Sequence, residues 1–380
     1  MATTGNGLRI DGTILGQSTI SMVDGPAGRL IFRGYELHDL VSYASWEEVL
    51  YLLWYGALPT QAQLDELQQH LARERALTAD EVALLRSLPA TNHGMAGLQA
   101  IVSAMAYRYG SEMMHADTIR ESGLRLTARL PTLLTTWIRL RQGLEPVEPD
   151  PALGTAANML LTLLGERADA TAAHVLDSYM VVTAENGLNI STFVARVITS
   201  TRNTLATAIS AAIGTLGGVV HGGANEQSMR TFLAIGTPEQ ASAYIEALQT
   251  RKERLMGVGH RVFEVEDPRL RHMRRLSQEL ADRPVGDPTS HQIAAAVEAI
   301  VQEHPFFQQR RLYPNVEFYS APLLYQLGFP VDCFTAVFAC ARMPGWIAHI
   351  MEQLADNQLV RPEMEYIGPL NRPFQAIAER

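Results

Sequence analysis

The apolar positions of this chain change period after its first forty residues. Near the N-terminus the chain reads as extended. Thr19-Ile20-Ser21-Met22-Val23 and Arg29-Leu30-Ile31-Phe32 flank Asp24-Gly25-Pro26-Ala27-Gly28, a pattern that predicts a small β-hairpin. Helical spacing follows. Ser45 and Glu48 form a capping-box pattern before Val49, Leu50, Leu52 and Leu53, and Gly56 stands where a C-cap belongs. Thr60 and Gln63 repeat the pattern ahead of Leu64, Leu67 and Leu71. Residues 95–108, 118–143 and 153–184 also carry helical apolar spacing. Residues 191–213 are apolar or small almost all round, which predicts a helix buried on every side, inside the fold or at a subunit interface. Asp332 is placed to cap an apolar helix from Cys333, and Pro344-Gly345 should interrupt it. The fold class expected is all-α with a minor β-hairpin.

Charge divides the chain further. The interval 222–323 is more charged than its flanks, with Arg251, Lys252, Arg254, Arg271, Arg274 and Arg275. It reads as a smaller helical domain inserted into a larger one made of 1–221 and 324–380. The whole chain has 380 residues, is 47% hydrophobic and carries a net charge of −9. Such a length can bury a large core, and the acidic balance does not favour nucleic acid or an anionic membrane as partner. The first residues lack a charged region followed by an apolar one, and Met159–Leu164 is too short to cross a bilayer. A cytoplasmic protein is expected. The two cysteines, Cys333 and Cys340, are seven apart and read as buried small hydrophobes.

Candidate chemistry lies in three short motifs. The first is Val219-Val220-His221-Gly222-Gly223-Ala224-Asn225-Glu226. The second, Met256-Gly257-Val258-Gly259-His260-Arg261-Val262, is followed by Asp267-Pro268-Arg269. The third is Tyr313-Pro314-Asn315-Val316-Glu317-Phe318-Tyr319-Ser320. Two histidines and a carboxylate on glycine- or proline-marked turns are the equipment for taking a proton from carbon and stabilising the oxyanion. Each residue alone has a plainer reading. His221 fits a simple turn, His260 a flexible loop, and Glu317 the water-facing side of a strand. Arg269, Arg342 and Arg361 are either surface charges or bidentate partners for carboxylates. The Gly-x-Gly before His260 lacks the strand, helix and third glycine of a dinucleotide site. With 11 histidines there is still no His-Glu-x-x-His and no paired-cysteine spacing, so no metal is expected.

Taken together and in order, these motifs resemble citrate synthase over nearly the whole chain. So do Asp24-Gly25 through Gly34-Tyr35, Asn189-Ile190-Ser191-Thr192-Phe193-Val194-Ala195-Arg196, Phe338 through His349, and Leu359-Val360-Arg361-Pro362. The length resembles the short, dimeric branch of that family.

The resemblance implies condensation of acetyl-CoA with oxaloacetate, in a homodimer, with no cofactor beyond acetyl-CoA as substrate. It implies that His221 stabilises the enolate of the thioester, that His260 polarises the oxaloacetate carbonyl, and that Glu317 is the base. Arg269, Arg342 and Arg361 would hold carboxylates, Arg361 from the partner subunit. Asn186 would contact oxaloacetate, and Met256, Gly257, Val258 and Gly259 would contact CoA.

The chain departs from the family at three of these places. Glu317 stands where aspartate is usual, with Ala321 in place of glycine nearby. Asn186 replaces a histidine, and Glu264 a basic residue near the CoA site. These changes raise a second reading, 2-methylcitrate synthase or a related enzyme using propionyl-CoA or another short acyl-CoA. A catalytically silent binding protein on the same scaffold is the third.

Overall fold

The computed structural model describes residues 13–90, 93–109, 114–116, 118–219, 221–259, 263, 265–284 and 286–380. Strands β1 (Ser21–Asp24), β2 (Arg29–Phe32) and β3 (Tyr35–Glu36) form an antiparallel meander in which Ser21 faces Phe32 and Asp24 faces Arg29. The expected hairpin is present and carries a third short strand. Helices follow: α1 (Leu37–Tyr43), α2 (Trp46–Tyr55), α3 (Gln61–Glu74), α4 (Ala79–Ser87), α5 (Gly94–Tyr109), α6 (Ile119–Arg141), α7 (Thr155–Leu164), α8 (Ala170–Thr183), α9 (Ile190–Ser200) and α10 (Leu205–Leu216). Next come α11 (Ala224–Ile235), α12 (Ala241–Thr250), α13 (Leu270–Ala281), α14 (Thr289–Glu303), α15 (Pro305–Gln309), α16 (Val316–Gln326) and α17 (Phe334–Ala355). The all-α class with a small β element is what the chain adopts.

The capping chemistry forms as read. The Ser45 hydroxyl accepts the Glu48 N–H, and the Glu48 carboxylate accepts the Ser45 N–H at 2.7 Å. Thr60 and Gln63 do the same at α3, and Thr78 with Glu81 adds a third box at α4. Gly56 closes α2 in the left-handed region at φ 83°. Such caps satisfy N–H groups that the first helical turn otherwise leaves unpaired.

Four expectations need correction. Asp332 does not cap the apolar helix: it lies in a single 3-10 turn, Val331–Cys333, and pairs with Arg141 at 2.6 Å, and α17 starts at Phe334 without a side-chain cap. Residues 153–184 form two helices, because Gly165 turns left-handed after α7 and Asp169 caps α8. Residues 191–213 also split, at a turn between α9 and α10, where Thr204 caps α10 with its side chain. Nor is α9 buried all round: Phe193, Val194, Arg196, Val197 and Ile198 remain partly exposed. Finally, α17 runs unbroken through Pro344. Proline removes one helical hydrogen bond and crowds the preceding turn. Tight burial holds the helix here, and two indoles bind its backbone nearby: Trp46 Nε1 donates to Ala341 O at 3.1 Å and Trp54 Nε1 to Pro344 O at 2.9 Å.

Helix α17 is the axis of the core. It is apolar enough over its length to cross a membrane, yet α2, α5, α6, α8, α9 and α10 enclose it. Cys333 and Cys340 are both buried there. Helices α11 to α16 pack chiefly on one another, while α13 also lies against α8.

Close approach within the core is set by small residues. Gly97 on α5 leaves no room for a Cβ, which would overlap the Trp137 ring on α6. Gly97→Ala is expected to lower unfolding free energy by about 1–3 kcal/mol, the scale of overpacking a dense core. Urea titration checks this, and a midpoint equal to wild type contradicts it.

Candidate active site

Helix ends bring the candidate residues together. Arg342 projects from the middle of α17 and is almost fully buried. Its Nε donates to Thr183 O at the end of α8, at 2.6 Å, and the guanidinium lies over the Phe338 ring at 4.9 Å. Its Nη2 is buried with no hydrogen-bond partner among the described residues. Burial pushes its pKa down to about 10, with Arg269 adding repulsion and the buried Glu185 carboxylate pulling the other way. A buried cation with free donors is stable only with an anion beside it.

Arg269 stands at the N-terminus of α13, also buried. Its Nε and Nη2 donate to the two oxygens of Asp267 at 2.9 and 2.7 Å. Burial opposes its charge, and the Asp267 pair more than offsets this, so its pKa is raised.

His221 lies in the turn before α11, its N–H donating to Gly218 O at 2.9 Å. Its Nε2 meets Ser191 Oγ at 3.1 Å. That oxygen also accepts the Trp346 indole N–H at 3.2 Å, and the hydroxyl donates to Asn189 Oδ1 at 2.7 Å. Burial, helped by Arg342, pushes the imidazole down to about 4, so it is neutral at pH 7.

Glu317 occupies the first turn of α16, not a strand as its alternating neighbours suggest, and it is only partly exposed. Asn315 organises that turn. Its Oδ1 accepts the Glu317 N–H at 3.1 Å, and its Nδ2 donates to Gly259 O at 2.9 Å. Two backbone bonds, Asn315 N–H to Gly257 O at 2.9 Å and Gly259 N–H to Tyr313 O at 2.7 Å, pin the Met256–Gly259 loop beside Glu317. Gly257 has φ 78° and faces Ser228 and Phe318, so no larger residue fits. Burial, with Asp267 adding to it, raises the Glu317 pKa against the pull of Arg269 and Arg342. A neutral imidazole, a strengthened carboxylate base and two buried guanidiniums thus share one electrostatic environment.

Residues 7–363 match the family described as citrate synthase, C-terminal domain. The chain is 40% identical over 377 residues to the citrate synthase of Haloferax volcanii, covering 98% of both proteins. It is 39% identical to 2-methylcitrate synthase 1 of Corynebacterium glutamicum, covering 98% of this chain and 97% of that protein. The chain belongs to the citrate synthase family.

Solved structures agree with this placement. A citrate synthase from Pyrobaculum aerophilum superposes with a TM-score of 0.88 at 35% identity, covering 98% of this chain and 94% of that one. A ternary complex of Thermoplasma acidophilum citrate synthase with carboxymethyl coenzyme A and oxaloacetate gives 0.90 at 27% identity, covering 97% and 98%. As a citrate synthase family member the chain is an acyltransferase.

Within this citrate synthase scaffold the structure gathers His221, Glu317, Arg269, Arg342 and the Met256–Gly259 loop. Asn186 follows α8 next to them, its Oδ1 buried without a partner among the described residues. Arg361 is not gathered. It is exposed in the irregular C-terminal tail and makes no hydrogen bond or ion pair with the described residues. His260 and Glu264 lie outside the described residues.

Three contributors escaped the sequence reading. Ser191 is the partner of His221, Asp267 the clamp on Arg269, and Tyr179 a fully buried hydroxyl with no described partner whose ionisation is disfavoured by burial and then by Glu317. Asp267-Pro268-Arg269 carried a readable signal, an acid two residues before an arginine; Ser191 and Tyr179 sit on helices whose neighbours only folding reveals.

The neutral state of His221 is directly testable. Its NMR titration is expected near pH 4; a midpoint at its ordinary value of 6.5 contradicts the burial described here.

Proposed function

We propose that this enzyme condenses acetyl-CoA with oxaloacetate to give citrate and CoA. The observation that supports this best is the convergence of Glu317, with its raised pKa, and neutral His221 on a site carrying a buried arginine whose Nη2 has no partner among the described residues. Glu317 takes a proton from the methyl carbon of the thioester, and the electron pair moves onto the thioester oxygen. His221 donates a hydrogen bond to that oxygen. For this its Nδ1 must carry the hydrogen, which requires the Ser191 hydroxyl to turn its hydrogen from Asn189 Oδ1 to His221 Nε2. The enolate carbon attacks the oxaloacetate keto carbon, whose oxygen receives a proton from His260. Water then cleaves the thioester, releasing CoA.

Arg342 and Arg269 hold the carboxylates of oxaloacetate, and Asn186 contacts the same molecule. Met256–Gly259 form the CoA edge. Fixing the electrophile in this way supplies the orientation on which a carboxylate base depends, since it is far weaker than the enolate it must create.

We further propose a larger domain of residues 1–221 and 324–380, and a smaller one of 222–323 that closes over oxaloacetate before the thioester reacts. The mutual packing of α11 to α16 supports the division. Closure excludes water from the enolate. A homodimer would carry Arg361 into the neighbouring site. The exposed apolar side chains of the tail, among them Met364, Tyr366, Ile367 and Phe374, support a second copy as their cover.

A second reading, propionyl-CoA in place of acetyl-CoA, is supported by the likeness to 2-methylcitrate synthases. Thiol release with oxaloacetate and each acyl-CoA in turn separates the two. No release with either would favour a silent protein and overturn both readings.

If Glu317 is the base, Glu317→Gln keeps oxaloacetate binding and lowers kcat by at least about 10²-fold. Near-normal turnover would remove Glu317 from the mechanism. The pH profile carries a sign. The base must be ionised, so kcat/KM falls as pH drops through the Glu317 pKa, and that limb lies above the ordinary 4.5. A limb at or below 4.5 contradicts the raised value. In mixed dimers, inactive Glu317→Gln protomers combined with inactive Arg361→Ala protomers should regain activity in one of two sites; no recovery on mixing argues against a shared site.

A further inference from the structure

Two loops carry side chains assigned above to oxaloacetate: Glu185-Asn186-Gly187 after α8, and Asp267-Pro268-Arg269 before α13. Both touch the N-terminal meander. At one end Ser21 of β1 donates its hydroxyl to Glu185 Oε1 at 2.9 Å and accepts the Gly187 N–H at 3.2 Å. These two bonds fall on the residues either side of Asn186. Gly187 has φ 63°, and a Cβ on it would stand 2.9 Å from Val23 Cγ2, so strand and loop are in close contact.

At the other end the β1–β2 turn reaches the second loop. Gly28 also has φ 63°, and a Cβ there would stand 2.7 Å from Val265 Cγ2 and 3.5 Å from Glu266 O. The next residue, Asp267, grips Arg269 through both carboxylate oxygens. Around this contact a cavity of about 340 Å³ opens between Arg29, His38, Glu266 and Arg271. The turn therefore bears on the loop at one narrow point rather than across a packed face.

The meander is anchored well enough to transmit position. Its turn is braced by Ala27 N–H to Asp24 Oδ1 at 2.9 Å and Gly28 N–H to Gly25 O at 3.3 Å. Its root is fixed by Arg33, which donates to Leu53 O through Nε at 3.2 Å and Nη2 at 2.8 Å. Thr19 N–H donates to Glu352 Oε1 at 3.0 Å. Glu352 pairs with Arg196 at 2.7 Å, Arg196 meets His349 Nδ1 at 3.1 Å, and His349 Nε2 meets Glu185 Oε1 at 3.1 Å. The chain of bonds thus returns to the first loop. An isolated short meander is marginal in water, so this one owes its rigidity to these anchors.

We infer that the meander is a positioning strap, which sets the distance between the Asn186 loop and the Asp267–Arg269 loop through Ser21 at one end and Gly28 at the other. The inference rests on the proposed reading of Asn186 and Arg269 as oxaloacetate contacts. A dicarboxylate held at both ends is sensitive to that distance, since a displacement of about 1 Å can cost on the order of 10²-fold. Ser21 and Gly28 touch no substrate in this scheme; they act through the residues they hold.

The test is a double-mutant cycle on the intact enzyme. Ser21→Ala and Gly28→Ala are each expected to raise KM for oxaloacetate about 10-fold while kcat stays within about three-fold. Ser21→Thr, which keeps the hydroxyl, should remain near wild type. The double variant should be no worse than about 10-fold, because a strap released at one end no longer transmits from the other. Unchanged KM in both single variants overturns the strap. So does a double variant whose loss is the product of the singles, the mark of two independent loop defects. If Gly28→Ala does not fold, Val265→Ala probes the same contact from the opposite side with the same expectations. Wild-type enzyme that releases no CoA from any acyl-CoA with oxaloacetate is a failure of the proposed function instead. Amide hydrogen exchange then reads the strap: each single variant must speed exchange in both loops, and a change confined to the nearer loop overturns it.

Discussion

The burial of Arg342 governs the arrangement of everything near it. A guanidinium in the middle of the most enclosed helix gives up hydration that neutral hydrogen bonds replace only in part. Thr183 O takes one donor, the Phe338 ring covers a face, buried Glu185 attracts the charge, and Nη2 has no partner among the described residues. The charge is felt across the site. It helps to keep His221 neutral and pulls down the Glu317 carboxyl, which burial has raised. The same positive field that a dicarboxylate would neutralise therefore also sets the protonation of the acid–base groups. Substrate binding and proton abstraction share one electrostatic cause.

Packing supplies the precision that charge alone lacks. Trp346 and Asn189 fix Ser191, which in turn meets His221. Asn315 ties the first turn of α16 to the Met256–Gly259 loop, and Asp267 fixes the plane of Arg269. His221, Glu317 and Arg269 are thus each placed by a neighbour that need not touch the substrate. Catalytic geometry tolerates little displacement, and such supporting contacts are what keep it.

Much of the fold was legible because its signals are local. The boxes at Ser45–Glu48 and Thr60–Gln63 depend on residues three apart, and both form. What failed depends on distant partners. Pro344 reads as a helix break, but α17 is packed on every side by distant elements and continues through it. Val316-Glu317-Phe318-Tyr319 alternates like a strand; the Asn315 cap and burial on several sides make it a helix. The apolar stretch from Ser191 to Ile213 hides the turn before Thr204, since small polar residues there break no period. At the site, His221, Glu317 and the arginines were visible as motifs. Ser191 and Tyr179 were not, because their importance lies in what packs against them.

One measurement tests most directly whether the buried charge on α17 defines the substrate site. Thermal unfolding of the wild type and of Arg342→Met is followed with and without saturating oxaloacetate. Arg342→Met removes a cation that faces buried Glu185, so the free protein is expected to lose stability, and the ligand-induced shift is the readout. Oxaloacetate should raise the wild-type midpoint, as any ligand specific for the folded state does, and leave the variant unmoved. A variant that gains the full wild-type shift on adding oxaloacetate would contradict it, and Arg342 would then be a structural residue and not the anchor of the site.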